Sequence, residues 1–218
     1  MPMTTKDIPR EKVYVHALFV RVFHWVNVLG MTLMIMSGWR IYNASPLFYF
    51  KFPSGITLGG WLGGALQWHF AAMWLLVVNF LIYLIVGFMS GHFRRRLTPV
   101  SPSSVVGDMT KALKGKLPHS TTTYNAVQKA AYIGVLLAII LTIVSGSVVW
   151  KPVQLQELGI LMGGYEGARL VHFFGMTAIC AFIVLHLALV LLVPSTLIPM
   201  IIGWARKGKH EQEASHEH

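Results

Sequence analysis

The stretch 170–193 reads LVHFFGMTAICAFIVLHLALVLLV and holds no Asp, Glu, Lys or Arg. A helix needs about 20 mostly apolar residues to cross the hydrocarbon layer of a bilayer, so this stretch reads as a membrane span. Two histidines interrupt it, His172 and His186, fourteen positions apart. At 1.5 Å per residue they lie about 21 Å apart along the axis, and fourteen steps of about 100° bring them within about 40° of one face. One helix face therefore offers an imidazole near each surface of a membrane.

Working outward, three further apolar stretches are long enough to span: 18–41, 66–91 and 126–150. An apolar continuation at 197–202 follows Pro194 but is too short to cross again. It reads as an interfacial helix turned by Pro194 and Pro199. The predicted fold class is all-α, an integral membrane four-helix bundle with a C-terminal interfacial helix. The bundle occupies 18–203. Residues 1–17 form a cytoplasmic N-terminal segment, and 204–218 a cytoplasmic tail that ends in HEQEASHEH and is expected to be disordered. No internal repeat is evident.

Composition agrees with lipid as the main solvent. Of the 218 residues 55% are hydrophobic and 12% charged, whereas soluble domains carry about a quarter charged residues. The net charge of +10 suggests nucleic acid at first sight. The basic residues, however, cluster between apolar runs, as in loops beside a membrane, and no nucleic-acid partner is expected. The single cysteine, Cys180, excludes an internal disulfide and a Cys-x-x-Cys-His attachment of c-type haem. It also excludes iron–sulfur clusters held by several cysteines. The polar N-terminus is not a secretory signal, so the first span is expected to direct insertion.

Lys and Arg set the orientation. Four lie at the N-terminus (Lys6, Arg10, Lys12, Arg21), six between the second and third spans, and three in the tail, thirteen in all. Arg40, Lys51, Lys151 and Arg169 face the other way, and Lys129 sits just inside the third span. The side with thirteen should be cytoplasmic, with both termini on it. The loop 92–123 is then cytoplasmic. The loop 42–67, with Phe48, Tyr49, Phe50, Phe52 and Trp61, lies along the outer interface.

Ionisable side chains at membrane depth are costly and usually functional. Four histidines lie in the spans: His24 near the cytoplasmic start of the first, His69 near the outer start of the second, and His172 and His186 in the fourth. Depth pairs His69 with His172 and His24 with His186. Each pair can give a haem iron two axial nitrogens, since imidazole suits iron. Two haems stacked through the bilayer would form an electron path. One membrane histidine alone could simply bond a neighbouring carbonyl, and a proton relay is the competing functional reading. A relay usually also uses Asp or Glu, and the spans hold neither. Arg21 and Arg169, each one turn before a histidine, are candidates to pair with haem propionates or to act as plain interfacial anchors. Gly38 and Gly146 are among the small residues that would let helices or porphyrin approach. His92 lies at the edge of the second span; His16 and His119 read as solvated.

Several motifs resemble a known family. They are Arg21-Val-Phe-His24-Trp25, Ser37-Gly38, Tyr124-Asn125-Ala-Val-Gln128-Lys129, Ser145-Gly146 followed by Trp150-Lys151-Pro152, and the spacing from His172 to His186. The chain resembles the di-haem cytochrome b (gamma) subunits, cytochrome b561-like, of formate dehydrogenases, thiosulfate reductases, hydrogenases and related molybdoenzymes. The resemblance implies two haem b groups on the same histidine pairs and a quinone site beside the cytoplasmic haem, lined by Asn125 and Gln128. Helix capping is the other reading of Asn125. The implied function is a cytochrome b subunit of a bacterial inner-membrane oxidoreductase, carrying electrons between a periplasmic-side redox partner and the quinone pool. The partner would be a molybdoenzyme, hydrogenase or iron–sulfur subunit. Formate dehydrogenase subunits carry further histidines near the second and fourth helices, and a basic stretch where this chain has Pro194-Ser-Thr-Leu-Ile-Pro199, so the tail is more similar to cytochromes of other molybdoenzymes. Two alternatives stay open: a stand-alone b561-type superoxide–quinone oxidoreductase, and a non-haem membrane anchor or transporter.

Overall fold

The computed structural model describes residues 12–91, 103, 104, 107, 108, 110 and 126–206. In chain order the helices are α1 (Leu18–Ala44), α2 (Leu62–Met89), α3 (Ala126–Trp150), a short α4 (Gln156–Leu161), α5 (Gly164–Leu192) and a short α6 (Leu197–Ile202). The four long ones are each long and apolar enough to cross a membrane. With 25 to 29 residues they measure about 37–44 Å, more than the hydrocarbon layer needs. Three of them overrun the apolar stretches at one end, and α3 coincides with its stretch, 126–150. α1 continues to Ala44, α2 begins at Leu62 and α5 begins at Gly164. Apolar length marks the depth of lipid, whereas a helix runs on until the backbone is turned. At α5 that turn is made by Gly163 and Gly164, with φ of 85° and 82°, a left-handed conformation that glycine adopts without a Cβ clash.

The helices pack as two antiparallel hairpins, α1 along α2 and α3 along α5, and between the hairpins the long helices approach less closely. Buried positions are mostly small: Gly30 and Ser37 on α1, Ala65, Ala72 and Gly87 on α2, Ser145 on α3, Ala168 and Gly175 on α5, with Val148 and Ile179 the buried branched exceptions. Large apolar side chains such as Leu29, Leu81, Leu137, Val184 and Leu191 are exposed. This reverses the soluble pattern. In lipid there is no hydrophobic drive between helices, and small residues that permit close backbone approach hold the pairs together. Asn79, buried on α2, adds polar contacts to α1, donating to Asn27 Oδ1 (2.8 Å) and to the Phe23 carbonyl (3.2 Å).

Four spans return the chain to the end where it began. There β1 (Lys12–Tyr14) pairs antiparallel with β2 (Trp204–Arg206), in the register Lys12 to Arg206 and Tyr14 to Trp204. Arg21 Nη1 donates to the Ile201 carbonyl at 2.6 Å and Trp25 Nε1 to the Met200 carbonyl at 3.3 Å, fixing α6 across the foot of α1. This is the ribbon end. At the opposite, loop end, the connection from α1 to α2 is folded down by aromatic contacts. Trp39 stacks on Phe52 at 4.8 Å, Tyr42 meets Phe173 at 5.4 Å, and Phe48 meets Phe173 at 5.3 Å. Asn43 completes the hold with paired 2.8 Å hydrogen bonds to the backbone of Phe52.

Candidate functional site

At the loop end the rings of His69 (α2) and His172 (α5) face each other, with centroids 6.4 Å apart. Each is held by the first helix of its own hairpin, and the two holds repeat. Ser37 Oγ donates to the Leu33 carbonyl at 2.6 Å and Ser145 Oγ to the Leu141 carbonyl at 2.8 Å. That commits each hydroxyl's single proton to its own helix, as serines in helices often do. Each oxygen can then only accept, and each has a histidine Nδ1 beside it: His69 at 3.1 Å from Ser37, His172 at 3.3 Å from Ser145. His172 Nδ1 also lies 3.0 Å from the Thr142 carbonyl. Both rings are thus the Nδ1–H tautomer, with Nε2 carrying a free lone pair. The glycine after each serine makes room for the ring. A Cβ at Gly146 would sit 2.9 Å from His172 Cε1, and one at Gly38 would sit 3.4 Å from His69 Cε1.

At the ribbon end His24 (α1) and His186 (α5) face each other, with centroids 6.1 Å apart. Their surroundings are aromatic rather than hydroxylic. Trp25 meets His24 edge-on at 5.2 Å, and Phe182 stacks on His186 at 6.0 Å. His24 Nδ1 is buried with no hydrogen-bond partner among the described residues.

The chemistry of these donor sets can be tested against an implied haem. Imidazole nitrogens bind first-row metals at about 2.0 Å, and a ring centroid lies about 1 Å behind its nitrogen. Two imidazoles on opposite sides of one metal thus bring their centroids to about 6 Å, which both pairs match. Among the described residues no group of three or more His, Cys, Asp or Glu gathers around a common point. A mononuclear zinc site takes three or four protein ligands. Two opposed imidazoles suit a metal whose other ligands come from a planar macrocycle. The residues present fit a bis-histidine haem at each level.

The arginines are placed less symmetrically. Arg21, one turn before His24, bonds a backbone carbonyl and keeps its Nε buried without a partner among the described residues. Arg169, one turn before His172, pairs with Glu166 at 2.8 Å and donates to the Ser45 carbonyl at 2.5 Å. Gln128 sits in the first turn of α3, at the ribbon end. Asn125, His92 and His119 lie outside the described residues. The α3 backbone amide at Ala126 donates to Asp108 Oδ2 at 3.0 Å. His16 lies between β1 and α1, with its backbone N–H donating to the Gly203 carbonyl at 3.3 Å. Sequence reasoning missed the roles of Ser37, Ser145 and Thr142. The one available signal was the recurrence of Ser-Gly near the ends of the first and third spans.

The chain is 53% identical over 195 residues to a putative protein-methionine-sulfoxide reductase subunit, YedZ1, of Azospira oryzae, covering 89% of this chain and 98% of that protein. It is 24% identical over 184 residues to the formate dehydrogenase cytochrome b556(fdo) subunit of Escherichia coli K12, covering 84% and 81%. It is 22% identical over 200 residues to a probable Ni/Fe-hydrogenase B-type cytochrome subunit of Bradyrhizobium diazoefficiens, covering 84% and 79%. The description of one family matches residues 15–203, from the segment after β1 to the end of α6 and so over all four long helices and both histidine pairs. The chain belongs to the prokaryotic cytochrome b561 family.

Proposed function

We propose that the chain is the membrane electron-transfer subunit of a redox complex and holds one haem b at each histidine pair. The observation that carries this reading is the pair of facing imidazole couples at two levels of one bundle. A bound haem takes up and gives up one electron at a time. The chain's own work is to supply the ligands, orient them and keep water out. His69 and His172 serve the loop end, His24 and His186 the ribbon end, and the exposed apolar faces of the four helices seat the bundle in lipid. Arg21 and Arg169 stand one turn from a ligand at either level, where each can meet a propionate.

The Lys and Arg count supports a ribbon end on the cytoplasmic side, in what we read as a bacterial inner membrane. The loop end then faces the periplasm and a redox partner there. The relatives are named as subunits of a methionine-sulfoxide reductase, a formate dehydrogenase and a hydrogenase, which supports a catalytic partner of that kind. A quinone would meet the chain at the ribbon end, where Gln128 stands in the first turn of α3; Asn125, three positions earlier in the sequence, is the other amide that the family resemblance assigns to it. Reconstitution tests the electron path. Vesicles with trapped ferricyanide and external dithionite should bleach much faster with the haem-loaded protein than without it. The His24→Ala protein should bleach them at the protein-free rate. Wild-type vesicles that bleach no faster than empty ones would contradict the reading.

A further inference from the structure

The two levels share a ligand set but not what stands behind it. At the loop end the second nitrogen of both rings is engaged, His69 by Ser37 at 3.1 Å and His172 by Ser145 at 3.3 Å and Thr142 at 3.0 Å. At the ribbon end His24 Nδ1 is buried without a partner among the described residues, and His186 lies flat on Phe182 with 10° between the ring planes. An imidazole that donates its other N–H becomes a more basic ligand with a fixed tautomer and ring orientation. A more basic ligand stabilises oxidised iron over reduced iron, and such hydrogen bonds are among the levers by which a protein sets haem potential.

We propose that Ser37 and Ser145 are positioning residues that hold His69 and His172 as Nδ1–H donors and so set the loop-end haem at a lower reduction potential than the ribbon-end haem. This rests on the reading that each pair binds a haem. The arrangement occurs once in each hairpin, each time in a Ser-Gly doublet whose glycine clears the ring edge. Both serines are fully buried, and each already satisfies its own proton within its helix. Neither needs the histidine for its own stability, yet each oxygen sits at a histidine Nδ1. The consequence is a downhill direction built into the bundle, from the loop end to the ribbon end.

Redox titration of the purified haem-loaded protein, followed by visible absorbance and low-spin EPR, tests this. Wild type should show two one-electron steps. In the Ser37→Ala/Ser145→Ala variant the lower step should rise and the upper stay in place. We expect a three- to tenfold change in the reduction equilibrium, about 30–60 mV at 59 mV per tenfold for one electron. The EPR signal of that same haem should shift as each imidazole loses one of the groups that orient it, His172 keeping the Thr142 carbonyl. In His186→Ala the surviving haem should titrate at the lower step. An unmoved lower step, a moved upper step, or a surviving haem at the upper step would overturn the inference. If His186→Ala loses all haem, the serine variant decides alone. A wild-type protein without haem overturns both this inference and the reading beneath it, whereas two haems with unmoved potentials overturn the inference only.

Discussion

The loop end and the ribbon end place two imidazoles at nearly the same separation, 6.4 and 6.1 Å, and stabilise them by different means. At the loop end each ring is gripped from within its own hairpin, by a serine and a glycine of the preceding helix. At the ribbon end no such grip within a hairpin is present among the described residues; His24 meets Trp25 and His186 meets Phe182, while Arg21 and Trp25 hold the α6 segment. The contrast teaches that ligand geometry and ligand electronics are separable here. Helix depth governs the first, and the groups beside each Nδ1 (Ser37 at one ring, Ser145 and the Thr142 carbonyl at the other) are proposed to govern the second.

The largest effect comes from breaking either pair. His69→Ala and His186→Ala should each remove one haem, and difference spectra should show that the two variants lose different components. Identical residual spectra would mean that the levels are not independent. Next is the glycine cradle. Gly146→Ala puts a Cβ 2.9 Å from His172, while Gly38→Ala leaves 3.4 Å to His69. Overpacking a tight site costs about 1–3 kcal/mol. Gly146→Ala should therefore lower loop-end haem occupancy and melting temperature, while Gly38→Ala changes both only slightly. Equal effects would contradict the difference in clearance.

Smaller effects probe the hairpins. Asn79→Ala removes the buried bonds from α2 to Asn27 and Phe23. Interhelical hydrogen bonds in membranes contribute about 0.6 kcal/mol on average and up to about 1.7. Unfolding in mixed micelles should show a loss in that range without a change in haem count. Smallest is Glu166→Gln, which removes an exposed i,i+3 pair with Arg169. Such pairs contribute about 0.2–0.5 kcal/mol and weaken with salt, so the difference from wild type should vanish in molar salt.

Much of the fold was readable because a bilayer imposes a length. The stretches 18–41, 66–91, 126–150 and 170–193 each fall largely within one long helix, and the fourteen-residue step between His172 and His186 leaves their face and depth to simple helix arithmetic. The helix ends were not readable from hydropathy, since a helix continues past the hydrocarbon until a turn such as Gly163-Gly164 stops it. The ribbon of Lys12–Tyr14 with Trp204–Arg206 was also hidden, because three-residue strands leave no period and pair across the whole chain. Ser37 and Ser145 escaped for a third reason. A helical serine can satisfy itself on its own backbone, so nothing in its local sequence shows that its oxygen is aimed at a histidine of the next helix. The Arg169–Glu166 pair went unseen for the same reason as the helix ends, since Glu166 lies in the part of α5 beyond the apolar stretch.

The central claim is that each facing pair binds one haem b. A pyridine haemochrome assay on the purified protein, normalised to chain concentration by amino-acid analysis, tests it most directly. The account predicts two haem b per chain, falling to one in either His172→Ala or His24→Ala. A wild-type protein with no haem, or with one haem that survives both substitutions, would contradict it.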